Sequence, residues 1–287
     1  MDAVLPLRLS GGYQEHDLER ARMLLHSLEH FWCGPEALRL IVIAPEGDVE
    51  AVRAALVPRH VRVVVVREGL LLPGLGAVPE VGGWFRQMAL KLAAHVLVEG
   101  TFFLTLDADL VCIRPVSTDR LVREGRALTD WESRNLHRPW WAASAAALGV
   151  EEAAERRPGM AVTPELLATE VLRRLQRALC AEGGPEAWMR LLRRPGLWSE
   201  YSLYTLFAER QGLLERHHHD LAWMRAHGQA LRARQSLWSA AQLQDWQPED
   251  AFAPEAVGFF MVCQSSTRIP PREIWERLAP FIPGSPF

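Results

Sequence analysis

Lysine is almost missing from the 287 residues: of 32 basic side chains only Lys91 is a lysine, a bias of the source composition. Cysteine is scarce as well. Cys33, Cys112, Cys180 and Cys263 lie far apart with no C-x-x-C pair, which excludes a zinc ribbon or a disulfide framework and predicts buried thiols in a reducing compartment. No basic surplus exists, since the formal net charge is −3, so nucleic acid is not the expected partner. No apolar run approaches the 18 or so residues of a membrane span, and no basic segment followed by an apolar one opens the chain. A transmembrane segment is therefore not expected, and the expected location is cytoplasmic. With 49% hydrophobic residues the chain is long enough to bury a full core without staples.

What is present alternates. Apolar runs at 3–9, 38–44, 61–66 and 101–106 are predicted strands. Between them, 3.6-residue periodicity predicts helices from Asp17, over 49–56 and over 84–98. Strands apolar on both faces and separated by helices indicate an α/β fold with a mostly parallel central sheet flanked by helices. The helix over 84–98 carries Phe85, Met88, Ala89, Leu92 and Val96 on its core face, with Gln87, Lys91 and His95 in a stripe beside it. Residues 69–83 are rich in glycine and proline and predict a surface loop.

The second half is more helical and less regular. Helices are predicted from Pro164 to about Leu179, from Ser199 to about Arg210 and over 272–278, with short strands at 126–128, 159–162 and 257–263. One domain over 1–287 is expected, with a regular alternating half (1–117) and a less regular half (118–287).

The chemistry centres on Leu104-Thr105-Leu106-Asp107-Ala108-Asp109. Strand alternation places Asp107 and Asp109 on one side where a buried strand runs out, and open α/β sheets bind ligands at the carboxyl ends of their strands. Adjacent carboxylates repel, and a hard divalent cation, Mn²⁺ or Mg²⁺, resolves that repulsion with the help of substrate phosphates. A solvated turn with two acids is the alternative.

This strand ending in D-x-D, about a hundred residues into an alternating chain, resembles the nucleotide-sugar-dependent glycosyltransferases of the GT-A fold. Gly83-Trp84-Phe85-Arg86-Gln87-Met88-Ala89-Leu90-Lys91-Leu92 is similar to a bacterial branch of that fold, as are Gly159-Met160-Ala161-Val162-Thr163-Pro164 and Trp198-Ser199-Glu200-Tyr201-Ser202-Leu203-Tyr204. The resemblance implies a sugar passed from a nucleotide-diphosphate donor to a sugar, glycan or small-molecule acceptor, with 1–117 as the nucleotide-binding half and 118–287 as the acceptor-side half. Asp107 and Asp109 would hold the metal, or Asp107 the ribose. Lys91 and Arg86 would neutralise the departing diphosphate, although Lys91 also suits a snorkelling surface position. Gln87, one turn before Lys91, would touch the same ligand or stand exposed. Tyr13 would stack on the base, and Asp17 would bond base or ribose or cap its helix. Arg67 is a weaker phosphate contact. Glu200 is the expected base, or an acid favoured at a helix start by the dipole; Asp130 is the second candidate. His219, from His217-His218-His219, is a third metal ligand in this scheme, against a polar loop. Trp140, Trp141, Trp223 and Trp238 would stack on acceptor rings or fill the core. Two rival functions fit the same residues. One is a haloacid-dehalogenase-like phosphatase with Asp107 as nucleophile. The other is a non-catalytic nucleotide-binding protein.

Overall fold

Strand β1 (Asp2–Pro6) is buried at every position and forms the middle of the central sheet. The structure, a computed structural model, describes residues 1–9, 16–75, 82–151, 157–180, 184–194 and 196–287. From β1 the chain passes through α1 (Asp17–Phe31), β2 (Arg39–Ala44), α2 (Val49–Ala55) and β3 (Arg62–Arg67). A single helical turn, Glu68–Leu71, stands where a loop is predicted. Then come α3 (Gly83–Ala93), a 3-10 turn over Ala94–Val96, β4 (Phe102–Thr105) and β5 (Leu110–Cys112). The second half holds β6 (Trp131–Ser133), α4 (Arg138–Leu148), β7 (Pro158–Met160), β8 (Glu165–Ala168), α5 (Thr169–Leu179), α6 (Glu200–Arg210), β9 (Phe260–Val262) and α7 (Pro271–Leu278).

The central sheet runs β8-β4-β1-β2-β3. β4, β1, β2 and β3 are parallel, in registers such as Pro6↔Ile43 and Val4↔Thr105. β8 closes the β4 edge antiparallel, with Glu165 opposite Thr105. This is the predicted mostly parallel α/β architecture, and the apolar runs of β1 and β2 follow from helices covering both faces. Beside it, β5 pairs antiparallel with β9, and β6 with β7.

Four expectations change. The residues after Pro164 open with strand β8 before α5 begins at Thr169, because the free edge of β4 takes up Glu165–Ala168. The helix expected to reach residue 98 tightens at Ala94, which leaves Val96 61% exposed, outside the core face. Asp17 is the first residue of α1, and no side chain caps that helix. Cys33 is exposed; the other three cysteines are buried, and all four are free.

Candidate active site

A cleft of about 1080 Å³ opens at the carboxyl ends of β1, β2 and β4, lined there by Pro6, Ile43 and Asp107. The turn that carries the acids is pinned from three directions. Leu106 N donates to Val4 O (2.8 Å), extending the parallel ladder, and Leu110 N donates to Asp107 O (3.3 Å). Beyond β9, Cys263 N donates to Asp109 O (2.7 Å), and Ser265 N donates to Asp109 Oδ2 (2.8 Å). Both carboxylates line the cleft, as does Asp17 at the start of α1. Their crowding has an electrostatic cost. Burial first, then the Asp107 charge, pushes Asp109 above the usual carboxylate range. Asp17 is pushed up to about 6, by burial and then by Asp109, with Arg20 opposing.

Lys91 lies beneath this turn. It is 1% exposed and spends its three ammonium protons on Asp107 Oδ1 (2.8 Å), Thr163 Oγ1 (2.9 Å) and Glu200 Oε1 (3.0 Å). Burial alone would lower its pKa, but the charges of Asp107 and Glu200 outweigh that and hold it cationic. This is no snorkelling surface side chain; it is a buried bridge between two acids. Glu200 is delivered by a reciprocal capping box: Ser199 Oγ accepts from Ser202 N (3.1 Å), so α6 starts one residue later with its first acid facing the cleft. Burial raises the Glu200 pKa, Lys91 lowers it, and the balance is upward. Tyr201 OH shares hydrogen bonds with Thr105 Oγ1 (2.8 Å) and Thr163 Oγ1 (2.9 Å), which joins β4, the β7–β8 connection and α6 under the site.

Gln87 lies within 3.4 Å of Asp107 Oδ1 through Nε2, and Arg86 lines the cleft with Nη1 3.7 Å from Glu68. The structure thus brings together Asp17, Arg86, Gln87, Lys91, Asp107, Asp109 and Glu200. Other predicted residues are elsewhere. Asp130 is turned to the backbone, its oxygens accepting from Leu231 N and Arg232 N (both 2.8 Å), and it does not line the cleft. His219 is packed away from the acids, its Nε2 on Arg123 O (2.9 Å) and its ring stacked on Trp223 at 3.5 Å. Among the described residues no three histidine, cysteine or acidic side chains are placed together to hold a metal ion. Tyr13 lies outside the described residues. Arg67 pairs with Glu46 (2.8 Å) and does not line the cleft. Of the tryptophans, Trp141 is 2% exposed under the Arg134 guanidinium, and Trp223 lies between His219 and His227. Trp140, Trp141 and Trp238 line the cleft.

Several lining residues escape sequence reasoning: Arg8, Glu68, Glu132, Thr163, Tyr201 and Arg232. Thr163 and Tyr201 lie inside the two later motifs, and their closeness to Glu200 was the available signal. Arg8 follows β1 directly, a position at the mouth of the sheet. Arg232 comes from a stretch without periodicity and offers no signal.

An acid-bearing turn at the carboxyl edge of a mostly parallel, helix-flanked sheet, under a deep cleft, defines a GT-A-like α/β protein. The same fold is found in the crystal structure of mouse xyloside xylosyltransferase 1 in its apo form. The TM-score is 0.55 at 17% sequence identity, over 94% of this chain and 100% of that one. At this identity the likeness is one of fold. The chain belongs to the family described as a family of unknown function (DUF6492), whose model matches residues 1–285. The curated proteins give no match. No helix among the described residues is long and apolar enough to cross a membrane.

Proposed function

We propose that the protein is a glycosyltransferase that moves a sugar from a nucleotide-diphosphate donor to an acceptor hydroxyl. The observation that carries this reading is the bridge Asp107–Lys91–Glu200, which fastens the D-x-D turn to a buried acid across one cleft. A phosphate-binding end and a proton-accepting group are what sugar transfer requires side by side.

The residues suit a divalent cation. Asp107 and Asp109 offer hard oxygen donors, and burial, then the neighbouring carboxylate, pushes both Asp109 and Asp17 upward. Mg²⁺ and Mn²⁺ are commonly held by one or two carboxylates completed by substrate phosphates, so a carboxylate pair without a third clustered ligand among the described residues suits this chemistry. Asp107 and Asp109 would hold the ion, which when bound supplies charge neutralisation to the departing diphosphate. Arg8 and Arg86 line the cleft and would meet the phosphates. Gln87 orients Asp107. Glu200, made more basic by burial, accepts the proton of the acceptor hydroxyl. In the same step the acceptor oxygen bonds to the anomeric carbon, and the bond from that carbon to the diphosphate oxygen breaks with its electron pair. Lys91 holds Glu200 and Asp107 in place throughout.

Calorimetric titration with UDP, GDP, CDP and TDP, with and without Mn²⁺, tests the donor side. One nucleotide is expected to bind only with metal, and Asp109→Asn to abolish that metal-dependent binding. Unchanged binding in Asp109→Asn overturns the assignment. Glu200→Gln is expected to keep nucleotide affinity and lose about 10²-fold or more in turnover, and a near-normal rate removes Glu200 from the mechanism.

A further inference from the structure

Two chemically different groups of side chains line the cleft. One gathers Asp17, Asp107 and Asp109; the other is a wall of aromatic rings. Trp84, from the first turn of α3, and Trp140, from α4, have ring centroids 5.3 Å apart at 44°. The His137 imidazole stacks on Trp140 at 3.8 Å and 8°. Trp238, from the segment before β9, lines the same cleft. Trp84 and Trp238 remain 39% and 42% exposed, a large apolar area to leave wet. Exposed aromatic surface gathered at one concave site marks a place where a ligand supplies the missing cover.

Polar groups edge this wall. His137 Nε2 stands 3.5 Å from Glu132 Oε1, and the Arg232 guanidinium lies over the Trp238 ring at 5.5 Å. Charge here is not cationic. Among the described residues of this wall Arg232 is the cation, with Asp130 Oδ2 3.8 Å from its Nε and Glu132 close by, and burial keeps His137 below the usual histidine range. One cation facing two acids does not favour an anionic ligand. Flat apolar faces with hydrogen-bonding groups at their rim match a pyranose, whose C–H face packs on indole while its hydroxyls reach outward. We propose that Trp84, Trp140 and Trp238, edged by His137, Glu132 and Arg232, form the acceptor subsite and that it takes an uncharged saccharide. This rests on the glycosyltransferase reading above.

Saturation-transfer NMR on the full chain, with Mg²⁺ and each of UDP, GDP, CDP and TDP, provides the test. The sugar probes are the methyl β-pyranosides of glucose, galactose, mannose, xylose and N-acetylglucosamine, with methyl glucuronide as the anionic comparison. Ring-proton signals are expected from at least one neutral glycoside, and they should fall at least tenfold in Trp84→Ala and in Trp238→Ala while the nucleotide signals persist. Both variants replace exposed side chains, and a thermal melt confirms that each is folded. Four results overturn the proposal: no neutral sugar signal, a preference for the glucuronide, sugar signals undiminished in both variants, or loss of the nucleotide signal in the variants, which would give the wall to the base. Failure of the donor reading appears separately, as absence of nucleotide signals from the unsubstituted protein.

Discussion

Lys91 has three protons and three acceptors, Asp107, Thr163 and Glu200, arranged around a compact ammonium in a space that is 1% exposed. A guanidinium is planar and larger, and its forked donors do not match three converging acceptors. That is a physical reason why one lysine survives among 32 basic residues. Removing the cation leaves two carboxylates facing each other with little water. Lys91→Met is therefore expected to cost about 3–5 kcal/mol in urea unfolding, the range for breaking a buried ion pair. Glu200→Gln added to Lys91→Met should recover part of that loss, because the second substitution removes one of the stranded charges. A double variant no more stable than Lys91→Met would show that Glu200 is not coupled to the ammonium. Lys91, Gln87 and Asp107 were recognisable in the sequence because a regular helix leads into a regular strand, and spacing then predicts proximity. The Arg232 side chain and the second anchor of Asp109 at Ser265 were not, because they come from irregular segments joined to the site only by long-range pairing.

At the scale of the element, α6 sets Glu200. Its start depends on Ser199 and Ser202, and Ser202 also reaches Ser144 of α4 (Oγ to Oγ, 2.6 Å). Ser199→Ala should destabilise the protein by ~1 kcal/mol in urea titration, the usual worth of an N-cap, whereas Ser199→Thr should cost clearly less. Equal losses in the two would mean that the hydroxyl is not what holds the helix start. This cap was visible in the sequence, since a serine before a run of helical period is a local signal. β8 was not. Glu165-Leu166-Leu167-Ala168 has good helix formers after a proline, and its extended form is dictated by the edge of β4, more than fifty residues away in sequence. Asp130 shows the same limit: an acid after a short strand is compatible with a base, but backbone groups at 231 and 232 claim its oxygens.

Across the whole molecule one core runs from Ala3 in β1 to Val262 in β9 and includes Leu166, Leu167 and Tyr204. The proposed halves at residue 117 thus share a core, and one cooperative unfolding transition is expected. A buried chain of hydrogen bonds ties the later segments to the sheet. Ala168 N donates to Tyr204 OH (3.0 Å), Tyr204 OH contacts His218 Nε2 (2.7 Å), and His218 Nδ1 contacts Thr129 Oγ1 (2.8 Å). Thr129 Oγ1 donates to Ala127 O (3.4 Å), so it accepts from His218 Nδ1, and the Nε2 of that neutral imidazole accepts from Tyr204 OH. Burial, and then the neighbouring His217 and His219, lowers the His218 pKa to about 3. The sign of the linkage is clear. Below about pH 6.5 the unfolded chain takes a proton that folded His218 refuses, so stability is lost as pH falls toward 3. Between about pH 7.5 and about pH 5 this group alone should remove ~2 kcal/mol. His218→Gln should flatten that part of the stability profile, and an unaltered slope would rule the imidazole out. Lys91 carries a last consequence. Its amine is the single side-chain amine in the sequence, and it is buried. Every adduct found on that nitrogen would therefore count a molecule whose interior had opened, which makes the chain a built-in reporter of its own breathing.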